Sequence, residues 1–165
     1  MDGFADGSKT GFLEKFGHIF EHSPWVVERA WARRPFADVQ ALHAAFMAEV
    51  AAAGDAARLE LIKAHPELAA RVELTDFSSS EQLGAGLKQL TAAEFERFSV
   101  LNAAYREKFG FPFIICVRLQ TKASILAAFE ARLKRDAAVE QAEAIAQIGL
   151  IAKLRLQDLV EGMKG

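Results

Sequence analysis

From residue 11 onward, nearly every segment of this chain repeats its apolar side chains with a period of about 3.6 residues. That spacing lines up one face of a helix. A strand cannot use it, because strand side chains alternate with a period of two. The long segments are also rich in Ala, Leu, Glu, Lys and Arg, which give up little side-chain freedom in a helix. The pattern predicts an all-α fold, a single-domain bundle of about eight helices. With 165 residues, 52% of them apolar, the chain is long enough to bury one real core.

Proline, glycine and capping residues divide the pattern into helices. Residues 1–10 are Gly-, Asp- and Ser-rich and are expected to be a flexible segment ahead of one domain at 11–165. A first helix is predicted from Gly11 to His22. In "HSPW", Ser23 is the expected N-cap and Pro24 the first helical residue, with the helix running to about Arg33. "RPFAD" interrupts again, before a helix from about Val39 to Ala53. Gly54 and Asp55 make a turn, and a helix over about 56–65 follows. Ser78-x-x-Glu81 and the overlapping Ser79-x-x-Gln82 are capping-box patterns opening a helix of roughly 79–89. Thr91-x-x-Glu94 opens another that reaches Phe109 and stops at Gly110. "FGFPFIICVR" is aromatic and β-branched with Gly and Pro inside it, and reads as a buried connection, a short strand or an irregular segment. Helices return at about 122–134 and 137–163. There is no internal repeat and no sequence mark of a domain boundary.

The formal net charge is −2 and the pI about 6.1, so there is no basic footprint for nucleic acid or an anionic membrane. The one cysteine, Cys116, lies in the apolar run "FPFIICV" and has no second thiol to pair with, which points to a reducing compartment. The N-terminus lacks the basic and apolar regions of a signal peptide. No apolar stretch reaches the roughly 18–20 residues that span a bilayer. These features predict a cytoplasmic protein.

Four places carry candidate chemistry. In "LIKAHPELAARV", His65 stands directly before Pro66, which disfavours helix at His65 and has no N–H to donate. The imidazole is thereby held at a helix junction, as a structural stop or as a fixed acid or base near neutrality. Ser78 and Glu81 form a cap, and a helix N-terminus also attracts anions and polar ligands. Arg155 is singled out by spacing. At about 100° per residue it falls inside the apolar arc of Ile148, Ile151, Ala152 and Leu159. A buried guanidinium needs an anion, and the sequence leaves open whether that is a protein carboxylate or a ligand oxygen. The fourth is "HIFEH", His18 to His22, an H-x-x-E-H string of the kind some zinc peptidases use, here set against plain helix-end packing. No Gly-rich phosphate loop, Cys/His metal spacing or Gly-x-Ser-x-Gly elbow is present. The inventory suggests chemistry on a small polar anion without a cofactor. A non-catalytic helical interaction module is the alternative.

Taken together, "FEHSPWVVERAW", "RPFADVQALHAAF", "AHPELA", "SSSEQLGAGL", "LNAAYREKFGFPFIICVR" and the closing "IAKLRL" resemble the 2-oxo-4-hydroxy-4-carboxy-5-ureidoimidazoline (OHCU) decarboxylases, over about residues 11–160. The resemblance implies an all-α, cofactor-independent and commonly homodimeric enzyme. Such an enzyme removes CO2 from OHCU to give (S)-allantoin, the last step of urate breakdown. It implies catalytic roles for His65, Glu81 and Arg155, and substrate contacts from Ser78 and Gln82. Pro66 and the segment holding Phe111, Phe113 and Ile115 then form the pocket wall, where backbone groups meet the substrate. No metal is implied.

Overall fold

In the computed structural model of the chain, residues 7–68, 81, 87 and 90–164 are described. Among them are seven α-helices and no strand. They are α1 (Lys9–Phe16), α2 (Trp25–Ala30), α3 (Val39–Ala52), α4 (Asp55–Lys63), α5 (Ala92–Phe109), α6 (Lys122–Arg132) and α7 (Ala137–Lys164), with short 3-10 turns at Trp31–Arg33 and Val117–Leu119. The all-α expectation holds. The helix expected over 79–89 lies outside the described residues except at Glu81, which is helical, and Leu87, which lies in a turn.

Most boundaries follow local chemistry. The Thr91 hydroxyl accepts from the Glu94 N–H at 3.1 Å, and the Glu94 carboxylate accepts from the Thr91 N–H at 3.0 Å. Gly110 closes α5 with φ 78°, a left-handed conformation that glycine adopts without steric cost. The Asp38 carboxylate caps α3 by accepting from the Ala41 N–H at 2.7 Å.

The N-terminal region departs from expectation. Helix α1 starts at Lys9, capped by the Ser8 hydroxyl, and ends at Phe16 rather than His22. The buried residues Phe16, Ile19 and Phe20 imitate a helical arc in the sequence. Gly17 instead takes the C-cap position, and His22 turns left-handed with φ 47°. Ser23 does not cap α2. Its hydroxyl donates back to the Glu21 carbonyl at 2.8 Å, and Pro24 occupies the N-cap position.

The chain divides into two compact units, Met1–Ala64 with Gly149–Gly165, and His65–Ile148. The sequence carries no sign of this division, and one of its borders falls inside the continuous helix α7. In the first unit, Phe12 packs against Phe16, Trp31 and Phe36, and Phe20 meets Phe46 edge to face at 5.8 Å. Each fully buried ring of this kind contributes roughly 1.5–3 kcal/mol. Helices α3 and α7 approach closely at Gly149, where an added Cβ would lie 3.1 Å from the Met47 methyl, and the Gly149 carbonyl is 2.9 Å from His43 Nε2.

In the second unit, Tyr105 of α5 is the hub, with Phe109, Phe111, Phe113 and Phe129 all within 6.0 Å between ring centroids. Its hydroxyl donates to Glu140 at 2.6 Å, and Glu140 also accepts from Arg132 Nε at 2.8 Å. Burial and the Glu140 carboxylate together push the phenol well above its ordinary range. No helix among the described residues is long and apolar enough to cross a membrane.

Candidate active site

Helix α4 stops where the His65-Pro66 pair requires. The Ala64 N–H closes the helix on the Glu60 carbonyl at 3.0 Å, and His65 follows in a bend. The imidazole-bearing residue is buried, with 7% of its surface exposed. Two of the three residues after it are tied to α5. Asn102 Nδ2 donates to the Leu68 carbonyl at 2.8 Å, and Arg106 pairs with Glu67.

Glu81 is half-buried and sits in the same unit. Its charge reaches Cys116. Burial pushes the Cys116 thiol up from its ordinary value, and the Glu81 carboxylate adds to the effect. Ser78 and Gln82, the other two polar candidates from this stretch, lie outside the described residues.

The 111–116 segment is irregular and buried except at Pro112, which is half-buried, one of the forms its composition allowed. The Phe113 ring stacks on Phe129 at 3.8 Å with an interplanar angle of 11°, and the Arg132 guanidinium lies 4.3 Å from its centroid. Phe111 packs on Tyr105, and Ile115 is 5% exposed. These side chains serve the core, so what the segment can offer a ligand is backbone. That backbone is pinned by Arg132 Nη1 donating to the Ile114 carbonyl at 2.7 Å and by the Cys116 N–H donating to Gln147 Oε1 at 2.9 Å.

Arg155 belongs to the first unit, and its residue is 1% exposed. Its Nη2 donates to Glu21 Oε1 at 2.7 Å and its Nη1 to the Ile19 carbonyl at 3.0 Å. Of the two anions left open by spacing, a protein carboxylate is present. That carboxylate is the Glu of "HIFEH". The string does not form a helix, so His18 and His22 do not stand one turn apart as an H-x-x-E-H metal site needs, and its Glu is engaged with Arg155. Among the described residues, no three His, Cys, Asp or Glu side chains gather as metal ligands would.

Sequence reasoning missed Asn102, Arg132 and Glu140, which are 6%, 3% and 0% exposed. A signal for Asn102 was available. It shares the buried face of α5 with Phe98, Leu101 and Tyr105, so it is a polar residue inside an apolar arc, as Arg155 is. For Arg132 and Glu140 the signal was weaker, because their burial depends on packing around α6 and α7.

Residues 6–157 match the family model described as OHCU decarboxylase. A 2-oxo-4-hydroxy-4-carboxy-5-ureidoimidazoline decarboxylase of Halalkalicoccus jeotgali is 40% identical over 159 residues, covering 96% of this chain and 90% of that protein. A uric acid degradation bifunctional protein of Bacillus subtilis is 42% identical over 160 residues, which cover 97% of this chain but 32% of that longer protein. Among solved structures, an (S)-allantoin synthase superposes with a TM-score of 0.75 at 33% identity, over 94% of this chain and 52% of that one. An OHCU decarboxylase crystallised in the presence of (S)-allantoin gives 0.70 at 23% identity over 93% of this chain and 98% of that one, a likeness of fold. The chain belongs to the OHCU decarboxylase family.

Proposed function

We propose that this enzyme removes CO2 from OHCU to leave (S)-allantoin, with His65, Glu81 and Arg155 as the groups that act on the substrate. The family match over residues 6–157 supports the reaction. The observation that carries the residue assignment is the buried His65, fixed at a helix break by Pro66 in the same unit as Glu81. A helical interaction module would have no use for an imidazole held in this way.

The chemistry asks little of the protein beyond placement and proton transfer. The bond from the hydroxyl-bearing carbon to its carboxylate breaks, and CO2 leaves. The electron pair forms a double bond to the ureido-bearing carbon, while the ring imine nitrogen takes up a proton. The resulting enol gives up its hydroxyl proton, and the ureido-bearing carbon gains one. That proton must arrive on one face for the product to have one hand. His65 moves it, Glu81 holds the imidazole or the substrate hydroxyl in line, and the Arg155 fork binds substrate oxygens and opposes the charge that develops. Ser78 and Gln82 add polar contacts, and Pro66 with Phe111, Phe113 and Ile115 forms the wall. No cofactor enters this scheme, because the substrate supplies its own electron sink. The proposal includes a cytoplasmic homodimer that binds neither nucleic acid nor membrane; sedimentation of the purified chain checks the dimer.

The test generates OHCU freshly from urate with uricase and a hydroxyisourate hydrolase, then adds this enzyme and follows circular dichroism. Optically active allantoin should form faster than by spontaneous decay. An unchanged rate, with racemic product, sinks the proposal.

A further inference from the structure

Among the described residues, the segment just after His65 has few bonds of its own. Helix α4 has closed at Ala64, and Pro66 has no N–H. Among the described residues, α5 grips this segment at Glu67 and Leu68, through Asn102 and Arg106, which stand one turn apart on the same side of the helix. Asn102 donates to the Leu68 carbonyl at 2.8 Å, and Arg106 pairs with Glu67. Asn102 is a poor choice for a helix interior on other grounds. It is 6% exposed among Phe98, Leu101 and Tyr105, and its Oδ1 has no hydrogen-bond partner among the described residues. A leucine would fill that position without leaving a buried acceptor unmet. Among the described residues, the bond its amide donates is the one to the Leu68 carbonyl.

We propose that Asn102 and Arg106 are positioning residues for His65: together they clamp the Pro66–Leu68 turn and so set the direction from which the imidazole delivers its proton. The inference rests on the proposed function, in which His65 moves the proton that fixes the product's hand. The readouts are kcat, KM and the enantiomeric excess of allantoin, taken at enzyme concentrations where spontaneous decay is negligible and normalised to folded protein. Asn102→Leu should lower kcat about ten- to hundredfold, leave KM within about twofold, and lower the enantiomeric excess. A merely structural role reduces the amount of active enzyme but not the handedness of what it makes. Should Asn102→Leu fail to fold, Arg106→Gln decides, since Arg106 is exposed and its loss spares the core. It should lower kcat a few-fold and the enantiomeric excess in the same sense. Losses that vanish on normalisation, with enantiomeric excess unchanged, overturn the clamp. His65→Ala, run alongside, separates the two claims. If it is inactive while both clamp variants keep wild-type rate and handedness, the clamp alone falls. If it keeps wild-type activity, the role of His65 falls and takes the clamp with it.

Discussion

Arg155 Nη2 donates to the Glu21 carboxylate at 2.7 Å, with both residues almost wholly out of water. Such a pair adds little to stability compared with an apolar pair of the same size. Breaking it from one side is expensive, about 3–5 kcal/mol, because a charge is left buried without its counter-ion. Glu21→Gln should therefore lower the unfolding free energy by about 3 kcal/mol in urea titration. The double variant Glu21→Leu with Arg155→Met should regain most of that stability and still be inactive. A double variant with normal turnover would show that the pair serves the fold alone. Arg155→Lys refines the test, because lysine keeps the charge and loses the planar fork. Loss of a charge-assisted hydrogen bond worth roughly 1.5–3 kcal/mol predicts a tenfold to hundredfold fall in kcat/KM. The shift in melting temperature on adding allantoin should shrink, and an undiminished shift would remove Arg155 from the site.

His65→Ala should abolish enantioselective decarboxylation and leave the far-ultraviolet circular dichroism unchanged. The residue lies in a bend beyond the end of α4, so its replacement does not interrupt a helix. Wild-type kinetics with a matched spectrum would refute the assignment.

Glu81→Gln distinguishes cap from catalyst. Glutamine still supports a capping box, so stability should change by less than about 1 kcal/mol. Turnover should fall by orders of magnitude. The substitution also removes a negative charge near Cys116, so the thiol should ionise at lower pH, which thiolate absorbance can follow. Normal turnover with a clearly lowered melting temperature would reduce Glu81 to a cap.

Stability should fall at alkaline pH. The Cys116 thiol and the Tyr105 phenol are both pushed above their ordinary values in the folded protein. Each therefore contributes stability that is fully present below its unfolded pKa, about 9 for the thiol and 10 for the phenol, and is lost as the pH rises through the folded value. Denaturant titrations at successive pH values should show the decline. Cys116→Ala should flatten its onset, and Tyr105→Phe the part above about pH 10. A pH-independent unfolding free energy from neutrality to about pH 11 would contradict both shifts.

What the sequence determined by itself is local. The Thr91–Glu94 box, the Gly110 stop and the break at His65-Pro66 each depend on residues within a few positions of one another, so their chemistry was legible in the string. The 3.6-residue period fixed the fold class for the same reason, since the side of a helix that carries apolar residues needs no knowledge of its neighbours. The same local reading failed at His18–His22. There the spacing of Phe16, Ile19 and Phe20 looks helical, yet the chain leaves the helix at Gly17. Tertiary structure alone decided which groups meet across long separations. Spacing turned Arg155 inward, but nothing near it in sequence named Glu21, 134 residues away, as its partner. Nor did the string tie Asn102 to Leu68 or gather Tyr105 and Arg132 on Glu140. A buried polar group must find a partner wherever the packing brings one, and the identity of that partner is a property of the packed chain rather than of the segment that carries the group.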